Sequence, residues 1–591
     1  MKISNFFFSV NIFFSAVFFL VLFSACESDD VNNDTVIKMQ RKVYYVGETI
    51  SVKISNPSIY EEKAWVGVFK TTSESTSKEL ILWEYIEMTD ENNILKLTKK
   101  NYIHEAGTYE VRLFGDNTYK TELAEDNFTV GDRSIDIRDY GAVCDGVTDD
   151  SDAINEALKV AAEDKKAVRF GNTGVCLLKK RLIVYNGVTQ IFGGKLKFVN
   201  PKNFGIHLYG IKHKQEENVK DLRIHHMEIE MKNIPYSYAI IGYNVSRVSI
   251  DHNKIENKKG VSYIYLITHK NGMEDAVDNT ISYNTIKSSS RSRGISIYVS
   301  SSLDYVYPPE EYTDPTNGKT RKWARATWLW IKDKTYAKPY YTTLRTTISH
   351  NDITGGYYGI GLNGVSESII EDNKVTNNAR NISIQNGANR NRVANNTLRN
   401  STSASIHLAY GSSDNTIINN DISTSIAVGE GLLQAYVGSK NNLFEGNTVE
   451  STGKTGARWM LYFAIHADGN KAINNKFIGT YHRACIAIEP AWDETVKHIA
   501  HRGSYLVKWY RHHIWANQDT DDVVIKDNEL DVYSVNLGGD YIAKNQPEIF
   551  ISQIKDKSGV RKVSNLLLEN NKILNPNPNY TEPVFFIDKE N

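Results

Sequence analysis

From residue 253 onward, apolar and polar positions recur as a six-residue unit, apolar-x-x-Asn-x-apolar, with its Asn at 253, 284, 351, 373, 396, 420, 447, 475, 528 and 571. Ile370-Glu371-Asp372-Asn373-Lys374-Val375 and Ile417-Ile418-Asn419-Asn420-Asp421-Ile422 are two instances. The regular spacings of 22, 23, 24, 27 and 28 residues are each one coil of a β-solenoid. A buried Asn at each turn can hydrogen-bond the Asn and backbone of the next coil, satisfying polar groups that stacking would otherwise strand. These Asn residues therefore read as structural, not as glycan ligands. Spacings of 67 residues (284 to 351) and 53 residues (475 to 528) break the rule, and each calls for an unmarked coil or an insertion.

Residues 35–132 alternate differently. Short period-two runs such as Ile50-Ser51-Val52-Lys53-Ile54 and Thr108-Tyr109-Glu110-Val111-Arg112-Leu113 are punctuated by Gly, Asn and Asp, the pattern of a small β-sandwich. Next comes Tyr140-Gly141-Ala142-Val143-Cys144-Asp145-Gly146-Val147-Thr148-Asp149-Asp150-Ser151-Asp152-Ala153-Ile154. This segment resembles the opening signature of the pectate-lyase-like right-handed parallel β-helix superfamily, with Cys144 for the usual Gly and Ser151 for the usual Thr. The resemblance implies a helix capping the first coil. It would span Asp152–Ala162, bury Ile154, Leu158 and Ala161, and use Asp149 and Asp150 as N-terminal capping carboxylates. The expected fold is therefore all-β: a sandwich over 35–132, then a right-handed parallel β-helix over 133–591 with loop insertions near 300–345 and 490–520. Cys144 and Cys176, both near the first coil, could pair, leaving Cys485 free on a coil strand.

Residues 1–25 describe a secretory leader: Lys2, a Phe-rich apolar run, and small residues before Cys26. Ser24-Ala25-Cys26 resembles a bacterial lipobox, and Glu27-Ser28-Asp29-Asp30 resembles the surface-export signal of Bacteroidetes lipoproteins. The expectation is a lipid-anchored outer-membrane protein, surface-exposed or periplasmic, tethered through Cys26 with a linker over 26–34. No later stretch reaches the ~20 apolar residues of a membrane span.

Charge changes the picture only once it is divided. The total of 69 Lys+Arg against 70 Asp+Glu argues against a nucleic-acid partner. Yet residues 27–132 carry 20 acidic and 12 basic residues, a net of −8, and residues 133–591 carry +6. The two long spacings hold much of the basic character. Residues 320–345 set Arg325 and six other cations among Trp323, Trp328 and further aromatics, against the single acid Asp333. Residues 497–515 contain Arg502, Trp509 and Arg511 with no acid. Solenoid insertions gather on one face, often the binding face.

Counting back from each ladder Asn places Ile382/Ile384, Ile406/Leu408, Leu433/Ala435 and Leu461/Phe463 inward. One outward column then reads Tyr263, Ser296, Ile360, Ser383, His407, Gln434, Tyr462, and its neighbour Tyr265, Tyr298, Leu362, Gln385, Ala409, Tyr436, Ala464, with Glu489 beyond. Glu430, Arg458 and Arg483 precede Gln434, Tyr462 and Ala487 by four residues. Such a stripe suits an anionic polysaccharide: aromatic faces stack on sugar rings and Arg forks bind carboxylate or sulfate. His482 is a weaker member.

The resemblance implies a lyase or a hydrolase. A hydrolase needs two carboxylates, and Glu489 with Glu430 or Asp493 are the candidates. A lyase must neutralise the uronate, remove its C5 proton and protonate the leaving oxygen. Arg458 and Arg483 fit the first task, His407 the second, and Tyr462 or Tyr436 the third. The expected activity is β-elimination on a uronate polysaccharide, a glycosaminoglycan such as chondroitin, dermatan sulfate or hyaluronan before pectin or alginate. The expected protein is a monomer. Ca²⁺ is an admissible cofactor, but no Ca²⁺-loop spacing stands out. A non-catalytic surface glycan-binding protein is the rival from another class.

Overall fold

A computed structural model describes residues 36–55, 63–71, 73–90, 92–97, 102–171, 174–199, 205–209, 218–231, 236–257, 261–268, 274–288, 294–301, 312–313, 320–321, 342–490, 519–535, 547–551, 554–556, 559–577 and 587–588. The leader, the proposed lipid site Cys26 and most of both basic-aromatic insertions lie outside them. The chain divides into two compact units at residues 132 and 133.

The first unit has a three-stranded antiparallel sheet (Ile37–Met39, Ile50–Ile54, Ile94–Leu97) and a five-stranded sheet running Val43–Tyr45, Glu122–Gly131, Gly107–Phe114, Trp65–Lys70, Leu82–Tyr85. Ile50, Val52 and Ile54 alternate with more exposed Ser51 and Lys53. That alternation is how an antiparallel sheet buries one face.

Among its described residues the second unit is a solenoid built on one parallel sheet of 37 strands. Crossovers of this kind are right-handed. A representative coil has three short strands, Arg392–Ala394, Thr397–Arg399 and Ala404–Ala409, each paired in register with the next coil. Inward Val393, Leu398, Ile406 and Leu408 join a continuous core.

The ladder spans all ten Asn, each Nδ2 donating to the next Oδ1 at 2.8–3.0 Å. Each also binds a carbonyl of the preceding coil, as Asn420 Nδ2 does with Val393 O at 3.0 Å. A second ladder, Asn391, Asn415, Asn442 and Asn470, runs beside it. Both long spacings are insertions within single coils: Thr280–Ser282 pairs directly with Thr347–Ser349, and Lys471–Ile473 with Val524–Lys526.

The residue before each ladder Asn is left-handed. Asp372, Asn395, Asn419 and Asn474 tolerate φ of 54–55°. His252, Tyr283 and His350 take the same conformation at φ 55–57°, and there ring stacking offsets the strain. Their centroids, with His226, lie 4.6–5.0 Å apart.

The capping helix runs Ser151–Asp164 and buries Ile154, Leu158 and Ala161. One expectation needs correction. Asp150 precedes the helix, but its buried carboxylate accepts from Val143 N and Cys144 N of the preceding turn instead of capping. Asp149 does bind Ser151 N and Oγ. Cys144 and Cys176 are disulfide-bonded across 32 residues, and Cys485 is free and buried. Replacing both bonded cysteines by Ser is expected to lower unfolding free energy by about 4 kcal/mol from loop closure, measurable by urea titration with and without reductant.

Candidate functional site

The structure corrects the register of the first coils in the outward columns. Strand pairing gives Tyr265, Tyr298, Gly361, Ser383, His407, Gln434, Tyr462, Ala487 as one column and Ser300, Asn363, Gln385, Ala409, Tyr436, Ala464, Glu489 as its neighbour. Ile360 and Leu362 point into the core instead. Ser368 aligns with Asn391, so the turn following Asn363 is one residue shorter than the turn following Gln385, and a count from Asn373 slips by one. Tyr263 and Ser296 leave the column for the same kind of reason, since the register is carried by Tyr265 and Tyr298.

Within the corrected columns a hydrogen-bonded chain crosses three coils. Gln385 Nε2 donates to Ser383 Oγ at 2.7 Å, Ser383 Oγ meets His407 Nδ1 at 3.0 Å, and His407 Nε2 meets Tyr436 Oη at 3.2 Å. Tyr436 continues to the half-buried Tyr410. His407 is fully buried, and its pKa is held well below the usual imidazole range by that burial and then by the nearby Arg380 charge. The neutral ring carries one proton, so it donates at one nitrogen and accepts at the other. This corrects His407 as a base touching substrate: no face of its ring is open. Burial likewise pushes the Tyr436 hydroxyl well above its usual value, so it stays protonated.

Arg380, which the column count misses, forks onto Glu430 at 2.8 and 2.9 Å and reaches Tyr358 Oη at 3.1 Å. Burial alone would lower its pKa, but the Glu430 carboxylate holds it well above the usual value. Glu430, whose burial would raise it, is in turn held low by Arg380. Gln434 donates to Glu430 at 3.1 Å and accepts from Gly431 N at 3.1 Å. Both ends of its amide are therefore engaged within the protein, which argues against it as a direct substrate contact. Arg380 stands three residues before Ser383 in the Tyr358–Arg380–Ala404 register, a placement the sequence does show.

Farther along, Tyr462 Oη donates to Glu489 Oε2 at 2.8 Å, both residues being at most 4% exposed. Trp459, also missed, stacks on the Tyr462 ring at 4.1 Å and 4°. Its register positions hold the small Gly431 and Ala484, which leave room for the indole. Arg458 and Arg483 both lie over this indole, at 4.2 and 5.8 Å. Both are half-buried. Burial, and then the like charge of Arg483, bring Arg458 down to about 10. His482 binds Thr455 O at 3.0 Å beside them. Burial and then the Glu489 charge push Tyr462 well above the usual phenol value.

The structure thus gathers His407, Gln385, Gln434, Glu430, Tyr436, Tyr462, Arg458, Arg483, Glu489 and His482 onto one face of neighbouring coils. Trp323, Arg325, Trp328, Arg502, Trp509 and Arg511 lie outside the described residues. Among the described residues, one group of three potential metal-ligating side chains converges, Cys144, Asp150 and Cys176, and its two sulfurs are bonded to each other. That group does not fit a metal.

Buried neutral histidines make stability depend on pH. His407 and His225, both fully buried, have pKa values lowered first by burial. Below about pH 6.5 the unfolded chain binds protons that the folded chain refuses, so stability falls with falling pH by up to about 1.4 kcal/mol per unit for each. Thermal melting from pH 7.5 to 5 is expected to show this decline. A flat profile would mean that these rings are solvated.

A family model described as periplasmic copper-binding protein (NosD) matches residues 323–507. A phosphatidylethanolamine N-methyltransferase of Debaryomyces hansenii is 23% identical over 194 residues, which is 32% of this chain and 21% of that protein, so the chain spans about a fifth of that relative's length. Among solved structures, the surface adhesin PfbA of Streptococcus pneumoniae is similar at 11% identity, covering 75% of this chain and 100% of that chain with a TM-score of 0.44. The A-module of the Azotobacter vinelandii mannuronan C-5 epimerase AlgE4 is similar at 11% identity, covering 76% and 99% with a TM-score of 0.40. The catalytic unit of the Streptomyces thermodiastaticus GH87 alpha-1,3-glucanase is similar at 10% identity, covering 92% and 93% with a TM-score of 0.37.

Proposed function

We propose that this chain is a carbohydrate-active enzyme, a polysaccharide lyase that cleaves a uronate-containing chain by β-elimination, with a glycosaminoglycan as preferred substrate. The observation that carries the reading is the Arg458–Arg483 pair over Trp459, two half-buried like charges on adjacent coils. The Glu489 and Glu430 carboxylates lie near Arg458, and a uronate carboxylate beside the two guanidiniums adds an anion that both can bind. Neutralising that carboxylate acidifies the C5 proton.

Two hydroxyls with buried partners then perform the proton transfers. Tyr462 Oη takes the C5 proton as its own proton passes to Glu489 Oε2. The C4–O bond breaks, C4=C5 forms, and Tyr436 delivers its proton to the departing oxygen. His407 positions Tyr436 and can donate from Nε2 to the phenolate left behind, while solvent returns a proton from Glu489 to Tyr436. The chemistry favours elimination over hydrolysis. Arg380 holds Glu430 low and engages both its oxygens, so hydrolysis would have to place its acid on Glu489, whereas elimination asks Glu489 only to receive the Tyr462 proton. Asp493 lies outside the described residues.

The experiment is incubation with chondroitin, hyaluronan, pectin and alginate. Ultraviolet absorbance from a C4–C5 double bond supports a lyase. New reducing ends without absorbance would mean a hydrolase, and retention without cleavage a glycan-binding protein. No described helix is long and apolar enough to cross a membrane. We place the protein at the outer membrane through acylated Cys26, and Cys26→Ser should abolish incorporation of labelled palmitate.

A further inference from the structure

A column of alternating charge runs along another edge of the solenoid. Each coil has a second left-handed turn residue, and over successive coils it is Asp221, Arg247, Asp278, Arg345, Glu367, Arg390 and Asp414, at φ 51–59°. The amide of each donates to the carbonyl just before the next, from Asp221 N to Ser246 O through Arg390 N to Ser413 O, so all lie in one register. Their signs alternate without a break. Arg247 forks onto Asp221 at 2.6 and 2.8 Å, Arg345 forks onto Asp278 at 2.7 and 3.1 Å, and Arg390 reaches Glu367 at 2.8 Å. Between these pairs, Arg247 also attracts Asp278, and Arg345 attracts Glu367.

Native stability does not account for the pattern, because the paired side chains are 42–66% exposed and exposed ion pairs contribute little. Nor does a sequence period. Neighbouring members are 26, 31, 67, 22, 23 and 24 residues apart, and the sign follows the coil across every spacing. The rest of the coil is repetitive: one ladder Asn can receive any other, and inward Ile, Val and Leu recur at matching places. Neither feature tells one coil from the next, so a chain that looped out one coil and stacked its neighbours would keep both. The hazard is greatest at the long insertion. Thr280–Ser282 must find Thr347–Ser349 across it, while Ile369–Glu371 offers the same pattern 22 residues later. Loop closure scarcely separates the two, because its cost grows only with the logarithm of loop length.

We infer that the alternating charges enforce coil order as the solenoid folds, by setting like charges together whenever one coil is skipped. With the Arg345 coil looped out, Asp278 would stand beside Glu367 instead of Arg345. At ~4.8 Å in water, exchanging attraction for repulsion lowers the skipped population about tenfold. The same holds for skipping any coil from Arg247 to Arg390, since the charges on its two sides have one sign. The device acts on the folding chain and is independent of the reaction proposed above.

Refolding of the chain from urea at low salt, with the Cys144–Cys176 bond intact, tests this by pulse-labelling hydrogen exchange. The swap Asp278→Arg/Arg345→Asp keeps the net charge and an opposite pair between these two coils. It sets like charges against Arg247 and Glu367, however, and makes the skipped stack attractive. It should raise the fraction of chains left unprotected over residues 343–366 about tenfold. Reversing the sign at every position from Asp221 to Asp414 restores alternation and should refold as the wild type does. In about 1 M salt, where the Debye length is about 3 Å, swap and wild type should converge. Should the swap give no native protein, the neutral pair Asp278→Asn/Arg345→Gln makes no like contact and should still exceed the wild-type unprotected fraction. Wild-type protection of 343–366 in the swap or the neutral pair overturns the inference, even if the urea midpoint falls, because the pairs would then only add stability. A sign-reversed chain that misfolds as the swap does overturns it too.

Discussion

Tyr462→Phe is expected to lower turnover on a uronate polysaccharide about a thousandfold while KM changes little. The hydroxyl that would take the C5 proton is the one atom removed, and positioned proton transfer contributes on the order of 10²–10⁴. Binding should persist because its elements stay. The phenyl ring still stacks on Trp459 at the same 4.1 Å spacing, and the indole still holds Arg458 and Arg483. Glu489 loses the donor it holds at 2.8 Å, which costs about 1–3 kcal/mol of stability for a buried acceptor. Rates must therefore be compared per folded molecule, with circular dichroism run on the same samples. Arg458→Ala should instead raise KM and reduce the salt dependence of tetrasaccharide binding to what Arg483 alone supplies. If Tyr462→Phe turns over at the wild-type rate, Tyr462 has no part in the chemistry, and Tyr436 with His407 would have to carry both proton transfers.

How far the site could be read in the sequence depended on which signals were local. The Asn ladder is local: each Asn lies three residues after one inward apolar position and two before the next strand's inward residue, so the motif survives insertions of any length. The columns are not local. They were counted across a turn, and the turn after Asn363 is one residue shorter than its successor, which turned Gly361 and Asn363 into Ile360 and Leu362 in the count. From Ser383 onward the turns match, and Ser383, His407, Gln434 and Tyr462 fell in register. Arg380 and Trp459 both escaped because the count looked four residues before the column, at Glu430, Arg458 and Arg483, where the strands bulge, while the register itself runs three residues before it through Gly431, Trp459 and Ala484. Burial was beyond sequence reasoning altogether. An outward-facing His was expected to be solvated, yet Tyr436 and its neighbours cover His407 completely, and that changes its role from contact to positioning.

The ladder itself makes the strongest structural prediction. Asn420→Ala is expected to destabilise the helix domain by about 4 kcal/mol. Its Oδ1 accepts from both Asn396 N (3.1 Å) and Asn396 Nδ2 (3.0 Å), and its Nδ2 donates to Val393 O, Ile418 O and Asn447 Oδ1. Alanine strands the Asn396 amide and the Val393 carbonyl in a core where water cannot reach them, at about 1–3 kcal/mol each, with a small cavity added. Asn419→Gly, one residue earlier, is the contrasting change. Asn419 is exposed with φ 54°, a conformation that glycine adopts freely, so the effect should stay within about 0.5 kcal/mol. Coils couple mainly to their neighbours, so the loss at Asn420 should appear first as local opening. Hydrogen exchange at the Asn396 amide should accelerate more than at Asn253, four ladder steps farther along by Asn373, Asn351 and Asn284. Uniform acceleration along the ladder would instead mean that the solenoid opens as a single cooperative unit, and equal urea midpoints for Asn420→Ala and Asn419→Gly would mean that the ladder contributes nothing to stability.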